Sequence, residues 1–168
     1  MILLGIFFHP NVPNYLNYGG IGSIIGHEIT HGFDDQGAQY DSTGSVVNWW
    51  KPETAENFRK KAQCIIWQYG NYTVKQVNMT INGKLTQGEN IADNGGFKEA
   101  YGAYGKICFL PKLPIVFLTS HLFFDPLGMW EEKHGSEPGL PGHSFTSKQL
   151  FWIALAQVSL FYIALMFE

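Results

Sequence analysis

Two histidines and a glutamate in the segment His27-Glu28-Ile29-Thr30-His31 have the types and spacing of a metal site. On a helix, side chains four positions apart point about 40° from one another around the axis, so both imidazoles can reach one ion. Glu28 can face the same ion without having to ligate it. This is the arrangement of a zinc hydrolase, which needs a third ligand from elsewhere in the chain. A segment this short also arises by chance, and the alternative is a helix with an exposed His/Glu stripe.

A second acidic segment supplies what the first one lacks. Glu89 and Asp93 are four positions apart and therefore share one face of a helix. Glu89 is the natural third ligand, and Asp93 can accept the second ring N–H of a ligating histidine, which fixes its tautomer. The alternative is a solvated acidic face near a helix start. Asn90 and the pair Gly95-Gly96 are poor helix formers, which indicates that this helix packs closely against another element.

Three blocks of this sequence carry a family resemblance. They read GHEITHGFDDQG at 26–37, GENIADNGG at 88–96 and KQLF at 148–151. In order and separation they resemble the neprilysin and endothelin-converting-enzyme family of zinc metalloendopeptidases. The likeness covers roughly residues 6–106 and 130–158, a piece of the family's C-terminal catalytic domain.

The resemblance implies a role for each residue of the two segments. Positions that match His27, His31 and Glu89 bind one zinc ion in the family. The position that matches Glu28 is the catalytic base, and the position that matches Asp93 orients a zinc histidine. The implied fold class is mainly α, a zincin (thermolysin-like) catalytic-lobe fragment with two metal-bearing helices and a small hairpin. The implied substrates are peptides.

Composition narrows the possible partners. The 168 residues suffice for one domain with a core, and 11 basic against 14 acidic residues give a net charge of −3. With no basic stripe, nothing points to nucleic acid.

Cys64 and Cys108 could pair, although two cysteines alone do not fix a disulfide. The family resemblance instead implies that the partner of Cys64 lies beyond the end of this chain.

Periodicity and breaker residues predict four helices and one hairpin. The first metal helix spans 21–33 and has an apolar side that we expect to be buried. An amphipathic helix spans 52–69, with Pro52 in its first turn. A hairpin over 72–86 is predicted to turn at Asn82-Gly83. The second metal helix spans 88–106 and a last helix spans 147–167. The apolar side of the first helix comprises Ile21, Ile24, Ile25, Ile29 and Phe33.

Two stretches depart from the family pattern within the predicted partial peptidase catalytic domain of residues 1–168. Residues 107–129 form an apolar, proline-interrupted insert, and residues 159–168 form a tail unlike the family. A retained intron in a gene model explains the insert most simply, and a lineage-specific hydrophobic loop is the alternative.

The 18 largely apolar residues 150–167 have the minimum length of a membrane-spanning helix. Gln157 and the likeness of their first half to a buried family helix argue against a span.

Location and activity are expectations that depend on the resemblance. Met1–Phe8 has no charged region or cleavage site and makes a poor signal peptide. The family implies an anchor upstream of this piece, hence membrane association and the extracellular face of the plasma membrane, or secretion. Sequons at Asn71 and Asn78 are candidate glycosylation sites that agree with this location. Two functions stay open: a zinc metalloendopeptidase, or a catalytically incomplete, non-enzymatic remnant or gene-model fragment of one.

Overall fold

Helices dominate the computed structural model, which describes residues 7–106 and 137–166, with side chains of the last helix described as far as residue 159. The chain divides into two compact units, residues 26–96 and the described parts of 1–25 and 97–168. A π-helical turn, Tyr18–Gly22, precedes α2. The helices are α1 Asn14–Asn17, α2 Ser23–His31, α3 Pro52–Gly70, α4 Gln87–Lys106 and α5 Ser147–Met166, and the strands are β1 Thr73–Val74 and β2 Met79–Thr80.

The unit built from the two ends of the chain has an aromatic core. Tyr15, Tyr104 and Phe151 are fully buried and lie in one cluster with Leu150 and Leu155. The buried side chains of α5 recur at the spacing of one helical face, which explains why a largely apolar helix packs here. None of the helices in the described ranges is long and apolar enough to cross a membrane.

Glu137 ties the chain that precedes α5 to this core. Its carboxylate accepts hydrogen bonds from the Asn14 side chain at 2.7 Å and from the Tyr104 hydroxyl at 2.8 Å. It also accepts the backbone N–H groups of Asn14 at 3.2 Å and Tyr15 at 3.3 Å. One carboxylate therefore satisfies donors on α1 and on α4, which are distant in sequence.

The other unit contains α3, the hairpin and the metal-bearing parts of α2 and α4. Helix α3 confirms the predicted helix, with Pro52 at its start, where a missing N–H removes no helical bond. The predicted hairpin exists, but its turn is not at Asn82-Gly83. Thr73 pairs with Thr80 and Val74 with Met79, so the turn spans 75–78. Asn78 there adopts a φ of 52°, which asparagine tolerates better than most residues.

Tertiary contacts explain why the Asn82-Gly83 signal failed. A side chain at Gly83 would collide with the backbone carbonyl oxygen of Ile66 in α3, so this glycine allows a close backbone approach. The Asn82 side chain accepts the N–H of Leu85 at 3.0 Å, and the Asn82 carbonyl accepts the N–H of Thr86 at 3.1 Å. The dipeptide therefore shapes the approach to α4.

The expected burial of the first metal helix was wrong for part of its apolar side. Ile25, Ile29 and Phe33 are each more than half exposed in this chain. The buried positions are Ser23 and Gly26 instead, because the backbone of α2 meets that of α4 at glycines. The helix also ends earlier than predicted, at His31.

Part of the domain prediction lies outside the described residues. The insert at 107–129 is not described, and neither are residues 1–6 of the amino-terminal segment. Of the tail at 159–168, the helical backbone is described as far as Met166. The last helix is described over Ser147–Met166, and the predicted final residue, 167, lies outside the described residues.

Candidate metal centre

Helices α2 and α4 bring together the three residues that the sequence predicts as zinc ligands. His27 and His31 lie one turn apart on α2, and Glu89 lies in the first turn of α4. The two Nε2 atoms are 2.9 Å apart, and the Glu89 carboxylate is 3.3 Å from the first and 3.6 Å from the second. The three atoms could hold one metal ion. Two nitrogens at about 2.05 Å from a tetrahedral zinc would be about 3.3 Å apart, so a small adjustment suffices.

Each histidine has its own carboxylate on the other ring nitrogen. The Nδ1 atom of His27 is 2.8 Å from Asp93, and the Nδ1 atom of His31 is 2.6 Å from Asp34. An ionised carboxylate only accepts, so each Nδ1 carries the proton and donates it. Both Nε2 atoms then present lone pairs.

With both imidazoles neutral, these lone pairs and the Glu89 carboxylate converge with no donor among them. Three acceptors this close repel one another unless a cation lies among them. Neutral imidazole and carboxylate are ligands that zinc accepts, and two imidazoles with one carboxylate leave a fourth position open. The residues present therefore fit the zinc ion that the family resemblance implies.

The pKa values of the two histidine partners differ for physical reasons. Burial raises the pKa of Asp34, but the hydrogen bonds from His31 and from the N–H groups of Gly37 and Gln36 outweigh it, and the pKa is lowered. For Asp93, burial outweighs the bond from His27, and the pKa is raised. A dication at the cluster would oppose the upward shift in the pKa of Asp93, because positive charge favours the carboxylate.

His31 responds to the negative charge around it. Burial lowers the pKa of His31, but the bond to Asp34 and the nearby carboxylates of Glu89 and Glu28 raise it by more, so the net shift is upward. Glu28 is therefore close enough to the cluster to affect it. Its side chain is exposed on α2, between the two histidines in sequence.

Asp34 is the residue of the site that the sequence reading missed. It is 5% exposed, and one of its oxygens accepts the N–H groups of Gln36 at 2.8 Å and Gly37 at 2.7 Å. Its other oxygen meets His31, three positions earlier in the chain. An aspartate one turn after the second histidine, followed by the turn-forming Gly37, is the signal that could have indicated it.

The two sequon asparagines lie at different places around the hairpin. Asn71 follows α3 and is exposed, and its side chain donates to the carbonyl of Trp67 at 2.7 Å. Asn78 is exposed in the hairpin turn. Thr73 and Thr80, the hydroxyl residues of the two sequons, are partners across the strands. Cys64 is exposed on α3.

Comparisons with known proteins show the family of this chain. The model of peptidase family M13 matches residues 1–160. The chain is 48% identical to Neprilysin-2 of Drosophila melanogaster over 156 residues, 93% of this chain and 17% of that protein. It is 42% identical to Endothelin-converting enzyme 1 of Bos taurus over 157 residues, 94% of this chain and 18% of that protein.

A solved structure extends the likeness to three dimensions. The crystal structure of the Mycobacterium tuberculosis zinc metalloprotease ZMP1 in complex with an inhibitor matches with a TM-score of 0.70 and 34% identity. The match covers 94% of this chain and 21% of that one, so this chain spans about a fifth of the protein. The class that the helical fold and its solved neighbours indicate is the catalytic domain of proteins described as zinc metalloproteases. The chain belongs to peptidase family M13.

Proposed function

We propose that this chain is the metal-bearing part of a zinc-dependent metalloendopeptidase that hydrolyses peptide bonds of small peptides. The observation that carries the proposal is the convergence of two imidazole nitrogens and one carboxylate within 3.6 Å. His27, His31 and Glu89 are the proposed ligands of one zinc ion. Family membership supports the proposal, as does the likeness of the fold to that of a zinc metalloprotease.

Different residues around that ion have different proposed roles. When bound, zinc supplies Lewis acidity, which lowers the pKa of water to about 7 and polarises a carbonyl group. Glu28 accepts a proton from the attacking water and passes it to the leaving amine. Asp93 and Asp34 hold the imidazoles of His27 and His31 in the tautomer that leaves Nε2 free. The peptide bond breaks with no covalent bond to the protein.

The test separates metal binding from proton transfer. In the complete polypeptide, Glu28→Gln keeps size and polarity but cannot take a proton. We expect about one zinc per molecule and hydrolysis of an internally quenched peptide reduced by at least about 100-fold. Glu89→Ala removes most of the zinc, whereas Glu53→Gln, an exposed change on α3, leaves both readouts unchanged. Near-normal turnover of Glu28→Gln, or full zinc in Glu89→Ala, contradicts the assignment.

The alternative is a catalytically incomplete remnant that keeps the ligands. The chain spans 17% of one curated relative and 18% of another, so the two functions have to be told apart in the complete polypeptide. Zinc binding without peptide hydrolysis, in a polypeptide that carries an intact Glu28, identifies the remnant.

The proposed setting is extracellular. An amino-terminal membrane anchor or secretion, and glycans at Asn71 and Asn78, are the features we infer. Both asparagines are exposed, which supports access to them. The proposed partners are peptide substrates and no nucleic acid, since the net charge is −3.

A further inference from the structure

Helices α2 and α4 meet through glycine backbone at the metal centre. A Cβ atom added at Gly26 would lie 2.6 Å from the carbonyl oxygen of Gly96 and 2.8 Å from its Cα. A Cβ added at Gly96 would lie 2.6 Å from the carbonyl carbon of Gly26 and closer still to the nitrogen of His27. Ordinary contacts between such atoms are about 3.5 Å, so neither position has room for a side chain.

The contact is directly beside the donor set. Gly26 precedes His27 in the chain, and Gly96 follows Asp93 by three positions, which places Gly96 on the same face of α4. Glu89 is seven positions before Gly96 and belongs to that face as well. The residues that reach across from α4 to His27 are therefore on the stripe that touches α2.

We propose that Gly96 is a positioning residue, which sets the distance at which His27 meets Asp93 and Glu89. The inference rests on the proposed zinc site and adds the determinant of its geometry. A methyl group at Gly96 forces the helices apart by about 1 Å, the shortfall from an ordinary contact. The 2.8 Å bond between His27 and Asp93 would then exceed the length of a hydrogen bond. The imidazole loses the partner that fixes its tautomer.

A second pair, Gly95 and Thr30, lies one position before Gly96 on α4 and four positions after Gly26 on α2. A Cβ at Gly95 would lie 2.6 Å from Cγ2 and 2.7 Å from Oγ1 of Thr30. Here the obstacle is a side chain, which can be removed. After Thr30→Ala, the nearest remaining atom is the Cβ of residue 30, at 3.2 Å. The pair therefore allows both disruption and rescue.

The experiment measures zinc affinity in the complete polypeptide by competition with a chromophoric chelator. We expect Gly96→Ala to lower the affinity about 10- to 100-fold. The absorption bands of the cobalt-substituted protein should shift, because they report ligand geometry. The matched control is Gly102→Ala on the same helix, where an added Cβ meets nothing within 4 Å. The control should keep the affinity and the spectrum of the parent.

A general loss of stability must be told apart from positioning. Gly95→Ala should weaken zinc binding, and Thr30→Ala in the same chain should restore it, which also answers the case in which Gly96→Ala does not fold. If Gly96→Ala keeps the parent's zinc affinity and cobalt spectrum, the inference is overturned while the zinc site stands. If Gly96→Ala does not fold, the same result for Gly95→Ala overturns the inference. If the double variant binds zinc no better than Gly95→Ala, the inference is also overturned. A parent protein that binds no zinc overturns both proposals.

Discussion

Replacing Asp34 with asparagine should reverse the tautomer of a proposed zinc ligand. One Asp34 oxygen accepts two backbone N–H groups, at 2.8 and 2.7 Å, and the other accepts the Nδ1 proton of His31 at 2.6 Å. An asparagine has one oxygen and one NH₂ group for these three donors. In either orientation of the amide, its NH₂ group therefore faces another donor: the two backbone N–H groups in one case and the Nδ1 proton of His31 in the other.

The backbone decides the orientation of the new amide. If the NH₂ group faced the Gln36 and Gly37 N–H groups, two backbone donors that point at the buried Asp34 side chain would lose their acceptor, at up to about 1–3 kcal/mol each. The amide oxygen therefore stays with the backbone, and the NH₂ group faces His31. His31 must then accept at Nδ1 and carry its proton on Nε2, the atom that points at Glu89. A protonated Nε2 cannot ligate zinc.

Zinc affinity is the quantity to measure. Loss of an ordinary carboxylate partner lowers metal affinity about 10- to 100-fold, or about 1.4–2.7 kcal/mol. Because Asp34→Asn also places the proton on the wrong nitrogen, we expect a loss of at least about 100-fold, measured by chelator competition. Long-range ¹H–¹⁵N NMR of the metal-free protein should show His31 protonated at Nε2.

The neighbouring aspartate provides the control. Asp35→Asn removes the same charge one position later, where the carboxylate accepts only the Gln36 side chain among the described residues, at 3.2 Å. We expect this variant to lose little zinc affinity. If Asp34→Asn binds zinc no more weakly than Asp35→Asn, then charge alone explains the effect and Asp34 does not orient His31.

Two further predictions concern the other unit and the insert. Glu137→Ala should lower the free energy of unfolding by roughly 2–3 kcal/mol in urea titration, because charged hydrogen bonds to Asn14 and Tyr104 are lost. The exposed change Glu99→Ala is its control, and an equal loss in both variants contradicts the argument. Deleting residues 107–129 should raise solubility and resistance to proteolysis, because a proline-interrupted apolar segment has no periodic face to bury. A deletion variant that loses zinc or melts below its parent would show that the segment is packed.

Which of the proposed site residues share a face within each helix was predictable, because that depends on helical geometry alone, whereas the approach of Glu89 to the histidines depends on the packing of α4 against α2. Spacings of four positions bring His27 beside His31 and Glu89 onto one face with Asp93, whatever surrounds the helices. Asp34 was not predictable by this rule, because it acts from the turn beyond the helix end. Its role depends on backbone donors at Gln36 and Gly37 that only the folded turn supplies.

Tertiary contacts overrode the local signals elsewhere. Asn-Gly is a strong hairpin signal, yet Gly83 serves the close approach to α3, and the hairpin turn forms at 75–78. The isoleucine pattern of α2 predicted a buried apolar side, yet the buried contact with α4 is made by Gly26. The poor helix formers in α4 were the informative signal, because Gly95 and Gly96 are where the close packing occurs.

The carboxylates that orient the two histidines lie at very different distances along the sequence. Asp34 lies three positions from His31, so its bond depends on one helix end and one turn. Asp93 reaches His27 across 66 positions, from a second helix, and its bond depends on how closely the two helices pack. Glu89 shares that dependence, because it approaches His27 from the same helix face. The contact between Gly26 and Gly96 therefore sets both the distance from His27 to Asp93 and the distance from His27 to Glu89. The backbone packing of α2 against α4 is thus part of the geometry of the proposed metal centre.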